Sequence, residues 1–240
     1  MKKLLPLIGV LGCLAQPVMA NNSISTLGAL SQTQFRSLSE DLSSALSYKG
    51  VTPTAPLGVT GFDLGIGVSR TDMAQSSALW SKITSSGNSV GDLYVPKLHI
   101  AKGLPLGFDV AGFYSKVSST GFTLVGAEVR YAIIDGGIAK PALGLRGAYS
   151  KMSGVSQLAL NTRSLDISLS KGFAMLTPYI GAGQVWTNSS PNAGTLTNES
   201  ISQHKYFAGA NLNLGFTNIA AEWDKTGVAK TISIKLGFRF

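Results

Sequence analysis

Two histidines, His99 and His204, and one cysteine, Cys13, are all this chain offers of the side chains that most often act as base, thiol nucleophile or metal ligand at neutral pH. They are too few and too scattered for a metal cluster. A Ser–His–acid grouping around His204 has no specificity in a chain so rich in serine, and His99 reads more simply as a structural partner for an Asp or Glu. Gly65-x-Gly67 and Gly181-x-Gly183 have phosphate-loop spacing, but both sit inside alternating stretches rather than opening a helix, so they are strand glycines. The expectation is a protein without catalytic residues, metal or cofactor. What remains is a set of charges, Asp63, His99, Asp109, Glu128, Arg130, Arg146, Asp166, Glu222, Lys235 and Arg239. Each falls on the small or polar side of a period-two stretch. Both signs are present in comparable number, so an enclosed set could neutralise itself, as burial of charge requires. Their chemistry would be electrostatic selection rather than bond making.

The elements that must hold these charges begin at Leu57, where the pattern takes a period of two and keeps it to the end. Phe62, Leu64, Ile66 and Val68 share one face opposite Gly61, Asp63, Gly65, Gly67 and Ser69. Similar strands are read at 93–102, 107–117, 121–132, 140–151, 157–170, 177–187, 201–214, 216–225 and 229–240, which makes ten. Glycine-containing turns at Gly103, Gly136, Gly172 and Gly215 recur at intervals of 33, 36 and 43 residues, each interval holding a pair of strands. These short turns and both ends of the strand array fall on one side. The opposite side carries long polar connections at 71–92 and 188–200, the first with Trp80 as its only large aromatic, and three short ones.

The chain ends Ile232-Ser-Ile-Lys-Leu-Gly-Phe-Arg-Phe240, apolar and polar or small residues in strict alternation. A terminal Phe240 with Phe238 two residues before it resembles the C-terminal insertion signal of small Gram-negative outer-membrane β-barrel proteins. The resemblance spans residues 57–240, rests on architecture and that signal, and matches no one subfamily. It implies an all-β fold, a closed antiparallel up-and-down transmembrane barrel of about ten strands. The apolar face would then meet lipid, the ten charges would line the lumen, and the glycine turns would lie on the periplasmic side. Aromatics fit two interfacial girdles: Phe108, Tyr131, Tyr179, Phe238 and Phe240 near one end, and Tyr94, Tyr114, Tyr149 and Trp223 near the other. Trp186 breaks the parity set by Tyr179, so either a bulge intervenes or Trp186 faces inward.

The N-terminus agrees with export. Met1-Lys2-Lys3, the apolar run Leu4–Ala15 and the small-residue site Val18-Met19-Ala20 read as a cleaved signal peptide over 1–20, with the mature chain starting at Asn21. Leu11-Gly12-Cys13 offers a lipoprotein box as the alternative. Loss of Lys2 and Lys3 lowers the formal charge from +8 to +6. That excess is spread thinly, which disfavours nucleic acid and suits anionic lipopolysaccharide. The expected partners are outer-membrane lipid, lipopolysaccharide and, during biogenesis, the barrel-assembly machinery.

Residues 21–56 form a separate segment with one helix, read as 31–49. Ser31 and Gln34 make a capping box, Leu30 and Phe35 occupy the staple positions, and Gly50 and Pro53 stop the helix. Phe35, Leu38, Leu42 and Leu46 form an apolar stripe. Inward-facing glycine, alanine and serine leave room for this helix as a plug; its other placement is outside, against the lipid surface. The expected function is a narrow or helix-occluded pore for small solutes, or a structural envelope protein. The alternatives are a surface-binding barrel acting through its long loops and, more remotely, a membrane-embedded lipid-modifying enzyme.

Overall fold

A computed structural model of the chain describes residues 24–137 and 139–240. Residues 1–20, read above as a signal peptide, their expected cleavage site and Cys13 lie outside the described residues.

Ten strands follow in order: β1 (Phe62–Asp72), β2 (Asp92–Gly103), β3 (Phe108–Val117), β4 (Phe122–Ile134), β5 (Ala142–Ser153), β6 (Leu158–Ser170), β7 (Leu176–Pro191), β8 (Glu199–Leu214), β9 (Thr217–Thr226) and β10 (Ala229–Arg239). Each pairs antiparallel with the next, and β10 returns to β1 with Leu64 opposite Phe238 and Ser69 opposite Ser233, closing the barrel. Phe240 seals that seam: its N–H donates to the Phe62 carbonyl at 3.1 Å, and the two rings stack at 6.3 Å. Closure leaves no unpaired edge, which a lipid environment demands.

The polarity of the two faces is the reverse of a soluble protein's. Leu98, Ile100, Val129, Leu165, Ile167, Ile180 and Ile234 are exposed around the outside, whereas Asp63, Asp109, Glu128, Arg146, Asp166, Glu222 and Lys235 are buried within. A continuous apolar belt around a charged interior suits hydrocarbon and not water. The protein is a transmembrane β-barrel.

Phe108, Tyr131, Phe238 and Phe240 are exposed toward the turn end, and Tyr94, Tyr114, Tyr149 and Trp223 toward the loop end. Tyr179 is a correction to the girdle: it is 2% exposed and faces the lumen. Its own strand sets the parity, since Ile180 and Trp186 point outward while Val185 and Thr187 point inward. β7 therefore alternates without a bulge at Trp186, and aromatic identity alone misassigned the face. Gly209, opposite it on β8, makes the inward Tyr179 possible, because the Tyr179 ring fills the place a Cβ would take there.

Helix α1 (Gln32–Leu46) carries the expected capping box, Ser31 accepting from Gln34 N–H and Gln34 accepting from Ser31 N–H. It ends three residues before Lys49. Ser47 leaves the helix with extended backbone, and Tyr48 and Lys49 are drawn instead to groups on the barrel wall. The loops also differ from expectation. β7 and β8 extend to Pro191 and from Glu199, leaving a short loop, and residues 73–91 fold into a lid with a helical turn at Trp80–Ile83. Trp80 and Ile83 are fully buried there.

The N-terminal segment threads the barrel from end to end. Ile24 bridges to Thr84 in the lid, Leu27 N–H donates to Gln157 in the β5–β6 loop, α1 descends within, and Leu57 N–H meets Asp109 near the turn end. The helix is inside, and the chain enters its lumen from the loop end.

Candidate functional site

The lumen and the segment within it form one site with two levels. Toward the loop end the wall is apolar on one side. Phe35, Leu38, Leu42 and Leu46 of α1 are all 0% exposed and share a core with Leu93, Val95, Val117, Phe122, Leu124, Met152, Leu158 and Leu160 from the strands and Trp80 from the lid. The other side of the wall carries hydroxyls. Ser39 meets Ser189 at 2.8 Å, Ser43 meets Thr187 at 2.6 Å, and the Ser150 hydroxyl donates to the Leu46 carbonyl. The helix is thus amphipathic toward a wall of matching polarity, and solvent reaches its polar side only in the first turns, around Thr33, Arg36 and Glu40. Asp41 closes the top, accepting from Gln75 N–H, Ser76 N–H and the Ser76 hydroxyl.

Toward the turn end the fastening is ionic. Lys49 Nζ lies 2.6 Å from Asp224 Oδ1, and Lys205 donates to the Tyr48 carbonyl at 3.1 Å while reaching Asp166 at 3.4 Å. Arg146 holds Asp166 at 2.7 Å and faces Glu128, and Arg130 joins Glu128 to Asp109 at 3.3 and 3.2 Å. A second cluster has Asp63 at its centre, with Lys235 at 2.7 Å, Arg239 at 3.4 Å and His99 at 3.7 Å. Glu222 accepts from the Tyr179 hydroxyl at 3.1 Å. Below Lys49 the extended chain keeps to this wall: Arg130 donates to Thr52 at 2.7 Å, and Thr54 bonds Ser168 at 2.9 Å. Pairing of this kind is the condition for keeping so many charges out of water.

All ten ionisable residues read as inward from the sequence face the lumen, in these two clusters or beside them. Sequence reasoning missed Lys97, Lys205 and Asp224, which share parity with His99, Phe207 and Glu222 and could have been found by carrying each strand's alternation through. It also missed the apolar lumen wall; the signal was strands such as Leu93-Tyr94-Val95, apolar on both faces at their loop end. His204 is exposed on the outer face.

Fit between segment and wall is close. A Cβ on Gly50 would meet the Arg146 guanidinium, so any larger residue there has to push that side chain aside. The adjacent Val51 holds φ at 48°, a left-handed conformation costly for a β-branched residue. Two gaps beside this bend hold about 20 and 10 Å³, one lined by Lys49, Lys97, His99, Phe113 and Lys235 and the other by Thr52, Arg130 and Arg146. Each has room for about one water molecule.

No protein-family model matches the sequence, and no curated protein sequence matches it. Among solved structures, it is similar to the KdgM porin in complex with disordered oligogalacturonate at 8% identity, over 74% of this chain and 99% of that one, with a TM-score of 0.39. Neisserial surface protein A matches at 13%, over 75% and 94%, with a TM-score of 0.35. A loop-deletion mutant of OmpT, an outer membrane protein of Vibrio cholerae, matches at 12% and 0.32, over 62% of this chain but only 54% of that one. So distant a likeness adds nothing about task, and the functional reading rests on the site itself.

Proposed function

We propose that this is an outer-membrane protein, exported by its signal peptide, whose barrel is a pore for small hydrophilic solutes held shut by its own N-terminal segment. The observation that carries the reading is the path of residues 24–57 through the whole lumen, fastened at each level. A purely structural barrel needs no removable occupant, and its wall could be filled by its own side chains. Here the inward glycines, alanines and serines leave a channel that only a separate segment fills. Once that segment moves, the charges of the turn-end half would face a passing solute and set its selectivity. Opening is costly. Four large side chains leave full burial, at about 2 kcal/mol each, so the pore is gated rather than constitutively open. Display through loops finds less support, since Trp80, the large aromatic of the longest loop, is spent on the lid core.

Planar-bilayer conductance tests this. The intact chain from residue 21 is expected to be silent or to open rarely, and a variant lacking residues 24–57 to conduct steadily. Ser43→Cys/Thr187→Cys, whose native oxygens lie 2.6 Å apart, is expected to lock shut when oxidised and to recover its rare openings under reductant. A deletion variant that inserts as a closed barrel and never conducts would remove the pore reading.

A further inference from the structure

The lipid-facing side of the barrel is not alike at its two ends. At the turn end its strand positions are apolar or aromatic apart from Thr217 and Lys102, the latter donating to the Val59 and Gly61 carbonyls. At the loop end Arg70, Lys116, Lys151, Arg163, Lys225 and Lys230 are exposed on the same outer parity. Arg70 pairs with Asp92 at 2.8 Å, with Asp72 nearby. Among the described residues the other five have no carboxylate within ion-pair distance.

Their cross-strand placement makes two sites. Lys225 of β9 stands directly opposite Lys230 of β10, with Tyr206 opposite Lys225 on the other side. Like charges so placed repel and destabilise a sheet unless an anion lies between them. Arg163 of β6 lies between Tyr149 and Trp186, and Lys151 is its diagonal neighbour through Asn161. In that pair a guanidinium offers a fork that matches two oxygens of a phosphate, and an ammonium offers a point charge beside it. Both sites sit at the level of the upper aromatic girdle, where hydrocarbon gives way to headgroups, and they face outward. A ligand there must itself be a component of that leaflet.

We propose that Lys225/Lys230 and Lys151/Arg163 each bind a phosphate of a phosphorylated glycolipid, of the lipopolysaccharide kind, in the loop-side leaflet. The flanking Tyr206, Tyr149 and Trp186 rings pack on its acyl and sugar portions, and the paired charges fix the barrel's depth and direction in the membrane.

This inference rests on the outer-membrane reading above. The test is native mass spectrometry of the chain from residue 21, refolded in detergent and offered bisphosphorylated lipid A, dephosphorylated lipid A or inorganic phosphate. Retention of bisphosphorylated lipid is expected, with the dephosphorylated form held about tenfold more weakly or worse. Lys225→Ser/Lys230→Ser and Lys151→Ser/Arg163→Ser are each expected to lose bound lipid. Lys225→Arg/Lys230→Arg and the turn-end control Lys140→Ser are expected to keep it. Equal retention of dephosphorylated lipid would overturn the proposal, as would displacement by millimolar phosphate, which marks a free-anion site. Should a serine variant fail to fold, the comparison of the two lipids on the unaltered chain still decides. A chain that never inserts into bilayers defeats the reading beneath; one that inserts but ignores the phosphates defeats this inference alone.

Discussion

Replacing Lys49 by Met isolates the ionic half of the plug's attachment. In the intact chain Lys49 Nζ donates to Asp224 at 2.6 Å and to the Ser47 hydroxyl at 3.0 Å, and both charged side chains are at most 1% exposed. Removing one member of a buried pair costs roughly 3–5 kcal/mol, mostly because the other is stranded. Asp224 would retain Lys205 at 3.8 Å and the Thr226 hydroxyl at 3.1 Å, which places the cost near the lower end, at about 3 kcal/mol. The lost contacts join segment to wall, so the penalty falls on docking rather than on the strands. With a factor of ten for each 1.4 kcal/mol or so, the undocked population should rise about a hundredfold. Ser43→Cys reports it: the position is 0% exposed, and the chain from residue 21 has no other cysteine. Its labelling by a polar maleimide follows the open population when closing outpaces reaction. Lys49→Met should therefore speed labelling by about two orders of magnitude. Adding Asp224→Asn should return most of that, because the stranded charge is gone. A Lys49→Met rate within threefold or so of the parent, or an Asp224→Asn effect that adds instead of cancelling, would refute an ionic latch at this position.

Two further outcomes test the path of the chain and the corrected face of β7. Thr26 is exposed at the loop end and Gly137 at the turn end, so in intact cells an impermeant thiol reagent should label Thr26→Cys, with Gly137→Cys labelled only after the outer membrane is breached; the reverse pattern would overturn the threading. Tyr179→Phe deletes the one hydrogen bond that Glu222 accepts among the described residues, and should cost about 1–3 kcal/mol in thermal or denaturant unfolding, whereas a tyrosine in an outer girdle would tolerate the loss of its hydroxyl nearly unchanged.

What the sequence discloses about this protein follows from how strongly each feature repeats. Strand number, closure of Ile232–Phe240 onto the first strand and the inward set from Asp63 to Arg239 were legible because period-two alternation recurs ten times, and a slip of one residue would turn a whole strand inside out. The capping box at Ser31 was legible because it is local. Tyr179 was misplaced because residue type was allowed to outweigh the parity of its neighbours. The end of α1 could not be read locally at all. Tyr48 and Lys49 would continue a helix in isolation, and the residues that pull them out of it, Lys205 and Asp224, lie more than 150 positions away.

The placement of α1 shows the same limit, and its resolution bears on function. An amphipathic helix with Phe35, Leu38, Leu42 and Leu46 on one stripe reads equally well against lipid, because both settings ask for one apolar and one polar side. The decision lay in the strands. Val95, Leu124, Met152 and Leu160 turn apolar side chains into the lumen at the loop end, and such a surface cannot stay bare beside water. Ser189 and Thr187 offer hydroxyls where Ser39 and Ser43 pass, and apart from Asp41 and the Arg36–Glu40 and Arg36–Glu199 pairs near the loop-end rim the charges lie below Leu46, where the helix gives way to extended chain. Wall and segment therefore change character at the same depth. A wall evolved only to pass water would have no use for its apolar upper half, and a barrel meant only to be solid would have no need of a separate segment to fill it. The division of the lumen at that depth is what makes the segment a fitted closure, and it sets where an opening movement must begin: at Lys49 and the bend of Val51, where a few polar contacts hold what the apolar half alone would leave to slide.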